Sequence, residues 1–280
     1  RQEAACGWKR PEPSPLPGGA MRLNRRADRL RHSRGFAPRT PQSIFAKMKD
    51  PRLSPYMRPI AMSDPARPAG ALPLAGGWCW FDRVEVLSRG AAPVIVGLGD
   101  LTEVDRARLS DARADFGGLA MDRPRLMGIL NITPDSFSDG GLFLRPEAAL
   151  MQARRMAAGA DIIDIGGEST RPGAVEVLVD EEVARTAPVI AALRAGGLAC
   201  PISIDTRKAA VAGAAFGAGA TILNDVTALR FDAGMAGVAA SAGVPVVLMH
   251  SVETPATMQD DPHYDDVLLD VYDALAERLA

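Results

Sequence analysis

The chain is predicted to be α/β: about the first five βα units of a (β/α)8 TIM barrel, preceded by an N-terminal appendage. Three observations carry that prediction. From residue 125 onward, short apolar, β-branched runs alternate with Ala-rich helical stretches, the pattern of parallel βα units. Every run ends in polar residues, and chemistry spread over the C-terminal ends of successive strands is the TIM-barrel arrangement. No G-x-G-x-x-G turn follows the first run, as a dinucleotide-binding Rossmann sheet would require. A complete barrel needs about 250 residues, more than residues 125–280 supply.

Residues 1–56 carry Pro, Arg and Ser with little periodicity ("RPEPSPLPGG", "RRADRLRHSRG"). They read as a disordered basic tail or as translated sequence upstream of the true start, with a transit peptide or a nucleic-acid-binding arm as the competing reading. The first residue is Arg1, and Met21, Met48, Met57 and Met62 are candidate starts. The numbering is therefore expected to begin inside a longer reading frame. Residues 57–124 form the appendage. "WCWFDRVEVLSRG" is strand or hairpin material, and "DLTEVDRARLSDARADFGG" holds a short helix with Thr102 as N-cap three residues before Asp105. Trp78 and Trp80 read as packing residues rather than a ligand platform.

The barrel portion spans residues 125–280. Its strands are predicted at 126–130 ("LMGIL"), 161–165 ("DIIDI"), 202–204 ("ISI"), 221–223 ("TIL") and 245–249 ("PVVLM"). Between them lie helical stretches: "RPEAALMQARRMAAGA" opening at Pro146, "DEEVARTAPVIAALRAGG", "RKAAVAGAAFGAGA" and "DAGMAGVAASAG". "YDDVLLDVYDALAERLA" closes the chain. Gly159, Gly196, Gly219 and Gly243 stand where helix C-caps belong.

Composition narrows the function classes. Of 280 residues 47% are hydrophobic, enough for a substantial core, and the net charge of −2 gives no whole-chain push toward nucleic acid or membrane. That balance conceals an asymmetry: residues 1–50 hold twelve Lys/Arg against four Asp/Glu, which leaves the remainder acidic. Cys6, Cys79 and Cys200 fit neither a disulfide framework nor a zinc spacing, so a reducing cytoplasm is expected. No apolar run approaches the roughly 20 residues of a membrane span.

The polar strand ends are Asn131, Gly166-Gly167 with Glu168, Asp205, Asn224-Asp225 and His250. Asp205 and Asn224 on one inner wall would suit a flat heterocycle rich in N–H groups, such as a pterin or guanine. A competing reading makes Asp205 and Asn224 simple helix caps, and position alone leaves the two open. "GGESTRPGA", 166–174, is a Gly/Pro-bracketed loop with Thr170 and Arg171 at its apex; Arg suits phosphate oxygens through bidentate, charge-assisted bonds. Asn131, Asp135 and Asp139, at the exit of the first strand, offer the oxygen ligands that Mg2+ wants. Cys200 and His250 read as packing residues.

Taken in order, "GILNITPDSFSDGG", "GADIIDIGGESTRPGA", "SIDTRKAAVA", "ILNDVTAL" and "VVLMHS…TPATMQ" resemble the dihydropteroate synthase family over residues 122–280. The resemblance implies a transferase of folate biosynthesis. It would join 4-aminobenzoate to (7,8-dihydropterin-6-yl)methyl diphosphate, with Mg2+ on the departing diphosphate. It implies that Asn131 holds the metal, that Thr170, Asp205 and Asn224 contact the pterin diphosphate, and that Asp205 and Asn224 grip its ring. Phe137, Arg171 and Pro172 would form the aminobenzoate site, where sulfonamides compete in the family, with Thr133–Gly141 as a lid. Asp205, Arg171 and Asp139 would be the catalytic residues. The family's later D-P-G-x-G-F-G-K, S-R-K and Arg-x-His segments do not occur before Ala280. This chain alone is therefore expected to lack synthase activity and not to close a stable barrel, and a homodimer is expected only at full length. Two other readings compete: a pterin-binding methyltransferase domain, against which the Asn-x-Thr-Pro-Asp-Ser-Phe-Ser-Asp loop argues, and a non-catalytic barrel remnant.

Overall fold

The computed structural model describes residues 56–132, 146–169, 176–251 and 263–279. The appendage begins with β1 (Tyr56–Pro59), followed by β2 (Leu72–Pro73), β3 (Trp80–Phe81), β4 (Arg83–Leu87) and β5 (Val94–Gly97). β2 and β3 form a short antiparallel pair, and the other three form an antiparallel sheet in the order β1-β4-β5. Alternation in "RVEVL" places Val84 and Val86 on one face. They are buried there with Phe81, Val96 and Leu101 in a core belonging to the appendage. Helix α1 (Glu103–Ser110) starts as its sequence requires: Thr102 Oγ1 accepts the Asp105 N–H at 3.1 Å. Trp80 packs, its indole N–H donating to the Asp64 carbonyl at 2.7 Å, whereas Trp78 is 60% exposed.

The second part is a regular alternation. β6 (Met127–Asn131), α2 (Pro146–Ala157), β7 (Ile162–Gly166), α3 (Val179–Ala195) and β8 (Ile202–Asp205) come first. α4 (Ala209–Ala218), β9 (Ile222–Asp225), α5 (Met235–Ala242), β10 (Val246–Leu248) and α6 (Val267–Leu279) follow. The five strands are all parallel and lie in sequence order, β10-β9-β8-β7-β6. β6 and β7 both run one residue later than the apolar pattern predicts. The Asp161 carboxylate explains the shift: it accepts the Leu126 N–H at 2.9 Å and the Arg125 guanidinium at 3.1 Å, binding the strand entrance instead of extending the strand. α3, α4 and α5 end at Gly196, Gly219 and Gly243, as predicted.

One face of the parallel sheet is apolar. Leu130, Ile163, Ile165, Ile204 and Leu223 point into the helix layer and pack against residues such as Ala153, Ile190 and Ala215. Each fully buried aliphatic side chain contributes about 1.5–3 kcal/mol, so this layer holds the unit together. At the N-terminal end of the strands the appendage touches the opposite face at β9. A turn closed by Phe116 and Leu119 brings Gly117 against Ile222. Gly117 has φ +59°, and a Cβ there would lie 2.8 Å from Ile222 Cδ1; glycine meets both demands without strain. The appendage also grips α6, through Arg89 to Asp270 and Asp273 (both 2.6 Å) and an edge-on Tyr56–Tyr272 ring contact.

Candidate functional site

Strand register builds the site. Asn131, Gly166, Asp205, Asn224 and Val247 are aligned across the five strands as one row at their C-terminal ends. Two residues earlier on the same face lies a second row, Ile129, Asp164, Ser203 and Ile222. Because side chains alternate with period two, the apolar set goes to the helices and the polar set converges on the other face. That face is concave. Asn224 Nδ2 donates to Asp164 Oδ2 at 3.1 Å, although β9 and β7 are separated by β8 and neighbouring strands stand about 4.8 Å apart. Only a sheet curled toward this side brings those two side chains together.

Gly166 keeps the middle of the upper row open. A Cβ there would stand 3.4 Å from Asn131 Oδ1 and 3.6 Å from Asp205 Oδ2, so the missing side chain leaves a space flanked by two oxygens. Asp205 Oδ1 is buried and makes no hydrogen bond among the described residues. Burial, reinforced by the negative charges of Asp164, Glu182, Asp225 and Glu168, pushes its carboxyl up to about 7. Asp164, 3% exposed, is also raised, chiefly by burial and partly offset by the Ser203 hydroxyl and the Asn224 amide. Asp164 Oδ1 likewise has no partner among the described residues. A concave wall of acceptors with unsatisfied oxygens is built for a ligand that brings hydrogen-bond donors.

Behind the row lies a charged network that the sequence did not announce. Lys208, 3% exposed, donates to Glu168, to Glu182 Oε2 (2.7 Å) and to the Val177 carbonyl (2.7 Å). Arg207 donates to Glu168 Oε1 at 2.8 Å and lies over the Phe231 ring, 4.1 Å from its centroid. Burial opposes the Glu168 charge, but the hydrogen bonds from Lys208 and Arg207 outweigh it and hold the carboxyl below its ordinary value. Asp225, next to Asn224, organises the following turn. Its carboxylate accepts from Thr227 N (2.8 Å), Thr227 Oγ1 (2.7 Å) and Leu229 N (2.9 Å). Ala228 and Leu229 stand there at φ +51° and +62°, a conformation that non-glycine residues adopt only when held.

The capping alternative for Asp205 and Asn224 is thereby decided. The Ala209 N–H at the start of α4 goes to Asp232 Oδ2 at 2.8 Å, not to Asp205. Asp225 rather than Asn224 holds the turn. Asn131, Asp205 and Asn224 therefore share the predicted row, and Asp164 and Ser203 join them as residues the sequence reading missed. Their signal was present: a charge inside the apolar "DIIDI" and a Ser two residues before Asp205 fall on the Asp205 face by period two. Asp135, Phe137, Asp139, Thr170, Arg171 and Pro172 lie outside the described residues. Cys200 is half-buried beside Arg194, and His250 Nε2 is 3.2 Å from the Tyr264 hydroxyl.

The sequence profile of a family described as "Pterin binding enzyme" matches residues 127–280. The chain belongs to the pterin-binding enzyme family. It is 55% identical over 157 residues to the probable bifunctional folylpolyglutamate synthase/dihydropteroate synthase of Haloferax volcanii, covering 56% of this chain and 18% of that one. To the dihydropteroate synthase of Escherichia coli K12 it is 47% identical over 163 residues, 58% of this chain and 57% of that one. The structure of Xanthomonas albilineans dihydropteroate synthase with 4-aminobenzoic acid superposes with a TM-score of 0.53 at 52% identity, covering 59% of each chain. The chain thus spans less than two thirds of these relatives' own length. The matched region of this pterin-binding family member holds the whole row from Asn131 to Val247. No helix among the described residues is long and apolar enough to cross a membrane.

Proposed function

We propose that this chain supplies the pterin-binding part of a dihydropteroate synthase, which condenses (7,8-dihydropterin-6-yl)methyl diphosphate with 4-aminobenzoate. The observation that carries the reading is the in-register row Asn131–Gly166–Asp205–Asn224 on a concave face, in which Asp205 Oδ1 has no partner among the described residues. A pterin ring edge carries several N–H groups. The Asp205 oxygens and the Asn224 carboxamide accept from them, and the ring fills the space that Gly166 leaves. In this reading the sheet is the first five strands of a (β/α)8 barrel, residues 125–280, and the expected appendage 57–124 gains Tyr56 from the expected tail 1–56 through its place in β1.

Mg2+ fits what is present. Among the described residues no group of three His, Cys, Asp or Glu could cage a metal, but Mg2+ is usually held by one or two protein oxygens together with substrate phosphates. Asn131 Oδ1, at a strand end beside the Gly166 gap, is such an oxygen, joined in our reading by oxygens of the diphosphate. When bound, the ion neutralises charge on the leaving diphosphate. The carbon–oxygen bond from the pterin methylene to the diphosphate breaks, and its electron pair leaves with the diphosphate. The aniline nitrogen of 4-aminobenzoate then forms the new carbon–nitrogen bond and passes its proton to water. Asp205 and Asn224 hold the ring in place while positive charge develops on its methylene carbon, so catalysis rests on position and electrostatics. Phe137, Arg171 and Pro172 are assigned to the aminobenzoate side, Thr170 to the pterin diphosphate, and Asp139 with Arg171 to catalysis beside Asp205. The reading is supported by the dihydropteroate synthases with which the chain shares about half of its sequence positions over the matched region.

Fluorescence titration with 6-hydroxymethylpterin tests it. The wild-type chain binds the pterin, and Asp205→Ala weakens binding by at least about tenfold, the loss of a charged hydrogen bond. Equal affinity of the two proteins, or no binding by the wild type, overturns the reading.

A further inference from the structure

Asp164 has no role in the reaction as derived above, and stability gives no reason for it to be there. It sits in the middle of β7, 3% exposed, with one carboxylate oxygen making no hydrogen bond among the described residues. Its neighbour across the ladder, Ser203, sets a buried hydroxyl beside the same carboxyl and only partly eases its charge. A buried carboxylate in that state costs folding free energy, and an apolar residue of similar volume would cost less. Among the described residues its Oδ2 accepts a hydrogen bond from Asn224 Nδ2 at 3.1 Å, across the intervening strand.

That contact has a directional consequence. A carboxamide has a donor end and an acceptor end, and a carboxylate only accepts. Asn224 must therefore turn its NH2 toward Asp164, which leaves Oδ1 for whatever occupies the concave face. The opposite orientation would set two acceptor oxygens against each other. Asp205, one strand away in the same row, also presents an acceptor there, its Oδ2 beside the Gly166 gap. The wall then offers oxygens at adjacent positions and matches a ligand edge whose adjacent atoms all donate.

We infer that Asp164 is a positioning residue which, by fixing the orientation of the Asn224 carboxamide, makes the site select an amino-substituted pterin edge over its 2-oxo counterpart. The inference rests on the pterin reading for the identity of the ligand, but the orientation of Asn224 does not depend on it. Asp164 would touch Asn224 and not the ligand, so its removal should change selectivity more than affinity for any single compound.

Two measurements test this. The first uses 15N-labelled, ligand-free chain, with the Asn224 side-chain amide resonances identified by their loss in Asn224→Asp. Their exchange with solvent should be slow in the wild type and faster in Asp164→Ala; equal exchange overturns the inference before any ligand is added. The second compares binding of 6-hydroxymethylpterin with that of 6-hydroxymethyllumazine, in which a carbonyl oxygen replaces the 2-amino group. Wild type should prefer the pterin by about tenfold or more, the cost of setting acceptor against acceptor. Asp164→Asn, equal in size and able to donate or accept toward Asn224, and Asp164→Ala should both bring that preference within about threefold, with melting temperatures at or above wild type. Variants that weaken both compounds equally and keep the wild-type ratio would show a merely structural residue, overturning this inference while the pterin reading stands. Protected Asn224 amides in a wild type that binds neither compound would instead overturn the pterin reading, and the selectivity role with it.

Discussion

The Lys208 network makes a quantitative claim about stability. In Lys208→Met the side chain keeps its volume and loses its charge. Glu168 retains Arg207 at 2.8 Å. Glu182 does not fare as well: it is 0% exposed, its Oε1 already makes no hydrogen bond among the described residues, and its Oε2 loses the Lys208 ammonium at 2.7 Å. One buried carboxylate is thereby stranded, a change that costs about 3–5 kcal/mol. With a urea slope of about 2 kcal/mol/M, the unfolding midpoint at pH 7 should fall by roughly 1.5–2.5 M, read by circular dichroism. Glu168 adds a pH signature. Its folded-state pKa is depressed, so its contribution to the wild type is present above the ordinary value of 4.5 and is lost as the pH falls through the lower folded value. The gap between wild type and variant should accordingly narrow in acid. Lys208→Met combined with Glu182→Met removes the stranded charge and should recover most of the loss. A deficit under about 1 kcal/mol at pH 7, or a double variant no better than the single one, would refute the picture of a dry, paired network.

Asp205 has the opposite sign. Its folded-state pKa stands near 7, above the ordinary 3.8. Its favourable contribution is full below pH 3.8, is lost progressively as the pH rises to about 7, and changes no further above that. Asp205→Asn abolishes this dependence and should be more stable than wild type at pH 8 by up to about 4 kcal/mol; denaturation curves that stay parallel between pH 5 and 8 would contradict it. Gly117→Ala places a methyl group against Ile222 at a positive φ. It should cost about 1–3 kcal/mol, seen as a melting temperature lower by about 2–10 °C, and an unchanged melting temperature would mean that the appendage does not seat on the sheet.

The features legible in the sequence were those with local causes. Thr102 and Asp105 are three residues apart, so their cap could be read directly, and α3, α4 and α5 stop where glycine was expected. The strands showed because burial makes "DIIDI" and "ISI" apolar, but a pattern of apolarity does not reveal that the Asp161 carboxylate claims the N–H of Leu126. Asn131, Asp205 and Asn224 could be found because each closes an apolar run. Asp164 was hidden inside one, and only the register of β7 against β8 shows which face it takes. Glu182 was harder still. It stands with Asp180 and Glu181 in the first turn of α3, where acidic residues ordinarily face solvent and answer the helix dipole. Its partner Lys208 is 26 residues away in sequence, and no spacing rule connects them.

The row from Asn131 to Val247 also bears on how the sheet finds its pairing. Sliding β8 by one residue against its neighbours would turn Ile204 out of the helix layer and drive Asp205 into it, among Leu130, Ile165 and Leu223. Slipped ladders of β7 or β9 would bury Asp164 or Asn224 in the same way. Purely apolar strands, slippery because every residue suits either face, acquire from these polar side chains a penalty for every wrong alignment. The groups that await a ligand in the finished molecule thus act earlier as a checksum on its assembly, and a chain that has paired its strands wrongly has no site to offer.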